Sequence, residues 1–88
     1  MLRLTRTTRF PHEVILVLEG QIVAEWVELL EAECLTLLRS DQNVLLDLSQ
    51  VSYLDRRAAR LLRDLAARSV QLINCPPLVA DLVTEDAP

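Results

Sequence analysis

The chain has 88 residues, 51% of them hydrophobic and 25% charged, with a net charge of −4 and only 3% aromatics. That predicts one small domain over residues 1–88 with an aliphatic core, and it excludes a disordered chain. The acidic balance excludes nonspecific nucleic-acid binding, which needs surplus cations to replace phosphate counterions.

In chain order, LRLTRTTR at residues 2–9 alternates and is rich in β-branched threonine, which predicts an edge strand. FPHE at residues 10–13 places a turn at Pro11. VILVLEG at residues 14–20 is a continuous apolar run closed by the one glycine, the pattern of a strand buried on both faces. The two strands are close enough in sequence to pair as a hairpin.

From Ile22 to Arg39 the period changes to 3.6. Val23, Val27, Leu30, Cys34, Leu37 and Leu38 share one helical face with Trp26 beside them, while Glu25, Glu28 and Glu31 fall elsewhere. After SDQN comes VLLDLS, residues 44–49, a second buried strand with Asp47 in its interior. QVSYL reads as a loop. Asp55 is then a good N-cap for a helix reaching about Arg68.

Ala58, Leu61, Leu62 and Leu65 form the core face of that helix, with Arg56, Arg60 and Arg63 aligned on the opposite side. VQLIN, residues 70–74, is a further strand, and PPLVADLV, residues 76–83, opens a last helix on proline. The order β-β-α-β-α-β-α defines an α/β fold, a mixed sheet of about four strands with about three helices.

Arg56 and Arg57 pose a physical question. They fill the first turn of the second helix, where the positive end of the dipole disfavours cations by about 0.3–1 kcal/mol each when exposed. VLLDLSQVSYLDRRAARLL, residues 44–62, resembles the signature of STAS domains, the fold of bacterial anti-sigma factor antagonists and of the cytoplasmic tails of sulfate transporters. Asp47, Leu48 and Ser49 match its strand-ending Asp-Leu-Ser, and Val51, Leu54 and Asp55 match the segment that follows.

In signalling members of that family, the resemblance implies, a Ser or Thr just after the aspartate is phosphorylated by a partner kinase, which breaks the partner complex. Here those positions are Arg56 and Arg57, and the family's glycine position is Ala58. Ser49 and Ser52 lie nearby, but neither matches the phosphosite. The chain also ends where the family adds one more strand and helix, so the resemblance is to a divergent, shortened member with the switch removed.

The resemblance thus implies a noncatalytic protein-interaction module of bacterial regulation, an anti-sigma factor antagonist-like or scaffold subunit without a phospho-switch. Asp55, Arg56, Arg57, Arg60 and Arg63 are its candidate partner-binding residues, and a sheet edge lacking its last strand makes a homodimer an expectation. The alternative is an accessory subunit of a membrane lipid or anion transporter, where STAS-like proteins also serve.

The plainer readings of the same residues are structural. The arginine stripe is then a solvated helix face, with Asp64 pairing with Arg60 four residues earlier. Asp47 ties loop N–H groups near a strand end. Cys34 packs as a small hydrophobe, Trp26 is partly buried, and His12 is a surface turn residue. Cys75, just before a helix N-terminus, sits where a thiol pKa can be lowered.

No nucleophile, base and orienter can be assembled from these residues, so an enzyme is not expected. Two cysteines far apart and one histidine complete no zinc set, so neither metal nor cofactor is expected. The low cysteine count, the absence of an apolar leader in MLRLTRTTRF and the absence of a bilayer-length run predict a cytoplasmic protein without membrane insertion.

Overall fold

The alternating segment and the apolar run after Pro11 meet as an antiparallel hairpin. In the computed structural model, which describes residues 2–9 and 11–84, β1 (Leu2–Arg9) pairs with β2 (Glu13–Ile22), setting Leu4 opposite Leu18 and Thr8 opposite Val14. Phe10 of the expected turn lies outside the described residues. The chain continues through α1 (Glu25–Arg39), β3 (Asn43–Leu54), α2 (Arg56–Ala67), β4 (Gln71–Ile73) and α3 (Pro77–Thr84). The sheet order is β1-β2-β3-β4, with β2, β3 and β4 parallel. The expected α/β order and mixed sheet are present.

VILVLEG is not buried on both faces. Val14, Leu16 and Leu18 are buried, whereas the alternate residues Ile15 and Val17 are half-exposed. The reason is topological. The parallel strands advance in one direction across the sheet, so crossovers of one hand put their helices on one side. Accordingly α1 and α2 pack on each other and on β3, and α3 packs on α2 and β3. The core is the layer between them, and among the described residues no polar or charged side chain is buried in it.

Boundaries shift where β2 and β3 bulge. β2 runs on past Gly20 to Ile22, and α1 starts at Glu25 rather than Ile22. QVSYL is not a loop but the second half of a twelve-residue β3. Register breaks occur between Val17 and Glu19 and between Gly20 and Gln21, each leaving an extra residue on β3. Buried residues then fall three apart, at Leu48, Val51 and Leu54, and the alternation that marks a strand is lost. Gly20 stands at φ 103°, a backbone that a Cβ would crowd.

Both crossover helices end without glycine. After α1, Asp41 takes φ 59° while its N–H and that of Gln42 donate back to Leu38 and Leu37. After α2, Ser69 takes φ 75° and Val70 donates to Leu65. These are Schellman closures with polar residues in the left-handed position, and buried Val70 over buried Leu65 supplies the accompanying apolar contact. β4 spans Gln71–Ile73, shorter than the five residues expected.

Candidate partner-binding site

Strands β2 and β3 run parallel, so their carboxyl ends and the starts of α1 and α2 meet at one end of the sheet. Asp55 joins them. Its Oδ1 accepts from the Ala58 N–H at 2.8 Å, the N-cap bond that the sequence predicts. Its Oδ2 accepts from the N–H of Ala24, at the start of α1, at 3.1 Å. Its own N–H donates to the Ile22 carbonyl at 3.2 Å.

Ala24 has φ 53° and ψ −126°, a strained backbone for a residue with a Cβ, and α1 has no side-chain cap of its own. One carboxylate therefore caps α2, holds the strained entry to α1 and sets a negative charge where two helix dipoles are positive.

That charge bears on the arginines that follow. The first turn of α2 contains no acid apart from its cap. Asp55 partly offsets the dipole penalty on Arg56 and Arg57. Arg57 also reaches across to α1, its Nη2 lying 3.5 Å from Glu28 Oε1, an exposed pair that contributes little to stability. Arg56 and Arg60 are exposed, and Arg63 is half-buried and engaged.

Among the described residues no ion pair joins Arg60 and Asp64, contrary to expectation. A cation placed N-terminal to its acid is the weaker orientation for such a pair. Arg57, Arg60 and Asp64 instead line a cleft of about 180 Å³ between α1 and α2, with Val27, Glu31 and Leu61. The structure thus brings Asp55, Arg56, Arg57 and Arg60 to one end of α2.

Tyr53, which the sequence reading passed over, stands two residues before Asp55 and is 47% exposed. The three-residue spacing of Leu48, Val51 and Leu54 is the signal that places it outside.

Asp47 belongs to the interior of β3, not to its end. The first bulge frees the Ser49 N–H, and Asp47 Oδ1 accepts it at 2.9 Å. At the second, the Ser52 hydroxyl donates to the Gly20 carbonyl at 3.2 Å. The Asp-Leu-Ser motif is in this chain a bulge and its clasp. The backbone N–H of Ser49 holds the Asp47 carboxyl below its ordinary value; burial opposes this, and the Ser49 and Asn74 side chains add to it.

A depressed folded value stabilises fully above the ordinary carboxylate range, and that contribution is lost as pH falls through the range toward the folded value. Asp47→Asn keeps an acceptor but not the charge. The Tm gap between parent and variant should therefore narrow as pH drops below about 5. A gap that stays constant on acid titration removes this role for the charge.

Burial raises the Cys34 thiol to about 12, with Glu33 adding to the rise. Burial also raises Cys75, opposite to the lowering its place before a helix allows. Neither is a ready thiolate. Trp26 is half-buried against the core, and His12 is exposed in the β1–β2 turn. Among the described residues no cluster of three or more His, Cys, Asp or Glu side chains could hold a metal ion, and no helix is long and apolar enough to cross a membrane.

A four-stranded mixed sheet covered on one face, with a capped helix entered through Asp-Leu-Ser and Leu-Asp segments, is the framework of a STAS domain. A family model described as "Mlab, STAS domain" matches residues 5–85, and the chain belongs to that family. The solved structure of the anti-sigma factor antagonist SpoIIAA in its unphosphorylated form superimposes with a TM-score of 0.71 at 19% identity, covering 98% of this chain and 84% of that one. A crystal structure of a protein called Mglu aligns at 28% identity with a TM-score of 0.57, over 74% of this chain and 17% of that one. No curated protein matches the sequence.

Proposed function

We propose that the chain is a noncatalytic protein-interaction module of bacterial regulation, acting as an anti-sigma factor antagonist-like or scaffold subunit without a phospho-switch. In this reading residues 1–88 form one interaction domain. A protein partner docks on the start of α2, with Arg56, Arg57, Arg60 and Arg63 as its cationic contacts and Tyr53 as an aromatic anchor. Asp55 holds the helix in place for them.

The observation that carries the reading is the pair of exposed arginines in a dipole-opposed first turn, beside an exposed tyrosine. Arginine and tyrosine are the residue types enriched at interfaces. A second reading, an accessory subunit of a membrane lipid or anion transporter, is favoured by the absence of a hydroxyl at positions 56 and 57 and by the Mlab description of the matching family model. Both readings place the protein in the cytoplasm.

Replacing Arg56 and Arg57 together with serine tests the docking surface. Loss of one weak exposed pair and relief of the dipole nearly cancel, so Tm should move by no more than a few degrees. Capture of partners from a lysate of the native host, quantified by mass spectrometry, should fall, and fall most at low salt where attraction is least screened. Arg3→Ser with Arg9→Ser, both exposed on β1 and away from the start of α2, is the control. A variant that melts much lower yet captures its partners normally makes the arginines structural. The captured proteins separate the readings, a kinase or sigma-factor regulator against a transporter ATPase or permease.

A further inference from the structure

The outer surfaces of α1 and α2 carry opposite charge at the same end of the fold. The first half of α1 exposes Glu25, Glu28 and Glu31, and the first half of α2 exposes Arg56, Arg57 and Arg60. The two helices start together, joined through Asp55, so acids and arginines flank the cleft side by side. Among the described residues one ion pair crosses it, between Arg57 and Glu28. Glu25, Glu31, Arg56 and Arg60 make no ion pair among the described residues.

This arrangement is complementary to itself in one orientation. A two-fold axis running along the cleft, parallel to the helices, lays α1 of one copy over α2 of the other and the reverse. It leaves the helix directions matched, so N-terminal acids meet N-terminal arginines twice. An axis across the helices would lay each helix antiparallel on its own copy, so that where the charged N-terminal halves overlap acid meets acid and arginine meets arginine. Leu29, 48% exposed on α1, lies one turn from Glu25 on the outer side of that helix. The β4 edge of the sheet is a poorer route, since it offers three residues and short edges are how folds suppress strand pairing.

We infer that the chain self-associates through the α1–α2 face as an isologous dimer about the axis along the cleft, a second copy providing the acidic surface that the arginines of α2 meet. Resting on the reading of those arginines as docking residues, the inference adds regulation. The dimer covers the face a different partner needs, so self-association and partner capture compete.

A charge-swap experiment tests it. The variant Glu28→Arg/Glu31→Arg makes both sides of the cleft basic, and Arg57→Glu/Arg60→Glu makes both acidic. The parent should sediment as a dimer at high micromolar concentration in about 0.01 M salt and dissociate toward monomer in about 1 M salt, as the screening length falls from about 30 Å to about 3 Å. Each variant alone should be monomeric, its self-affinity at least tenfold weaker, with circular dichroism confirming the fold. Mixed in equal amounts, the two should form a one-to-one heterodimer.

If either variant fails to fold, Glu31→Gln and Arg60→Gln replace it, and each should weaken dimerisation. A parent that stays monomeric, a variant that still dimerises, or a mixture that fails to pair overturns the inference. A monomeric parent whose captured partners are lost on Arg57→Glu/Arg60→Glu leaves the docking reading standing without the dimer. A heterodimer restored by mixing, with capture indifferent to these charges, leaves the dimer and removes the docking reading.

Discussion

Asp55→Ala should lower the stability of this domain by about 1–3 kcal/mol, a fall in Tm on the order of 10 °C for a chain of this size. The figure has two sources. Loss of the bond to the Ala58 N–H is the loss of an N-cap, worth about 1 kcal/mol. Loss of the bond to the Ala24 N–H removes a further hydrogen bond, worth about 0.5–1.5 kcal/mol, from a residue already strained at φ 53°.

Asp55→Asn separates the two contributions. An asparagine oxygen still caps α2, but its amide nitrogen is a donor and cannot accept from Ala24, so the variant should melt between parent and alanine. Ala24→Gly relieves the strain and should raise the Tm of the parent. Thermal melts followed by circular dichroism check all three. An Asp55→Asn protein as stable as the parent would mean that the cap alone matters and the link between the helices does not.

Leu46→Ala should cost about 2–5 kcal/mol, while Leu45→Ala, one residue earlier on the same strand, should cost about 1 kcal/mol or less. Leu46 is fully buried beneath the helices. Leu45 is half-exposed on the sheet face away from them. The same chemical deletion leaves a cavity in the first case and trims a surface side chain in the second. Urea unfolding at matched conditions measures both. Equal losses would mean that the outer sheet face is covered in solution, and light scattering on the same samples would then show what covers it. The parent has little margin for a core deletion, since domains of this size are held by about 5–15 kcal/mol.

The order of the elements was legible in the sequence, because the signals involved are local. Period 2, period 3.6 and the proline breaks each act over a few residues, and they place two strands, a helix and the alternation that follows. Asp55 as an N-cap was legible for the same reason: its partner, Ala58, is three residues away. The Asp47–Ser49 bond spans two residues, and the role of Asp47 as a tie was legible too. Its place in mid-strand was not, because two bulges turn β3 from alternate to every-third burial and the strand then reads as a loop.

Tertiary structure alone decided the rest. The second partner of Asp55, at Ala24, lies 31 residues away, and the Arg57–Glu28 pair spans 29. No periodicity carries such distances. Whether VILVLEG is covered on one face or two is not a property of the strand. It follows from the direction in which successive parallel strands are added and from the hand of the crossovers, which together send α1 and α2 to the same side. The charge of each helix could be counted in advance. That the acidic turns of α1 and the basic turns of α2 stand level across one cleft depends on β2 and β3 ending together, with a single carboxylate holding both helix starts.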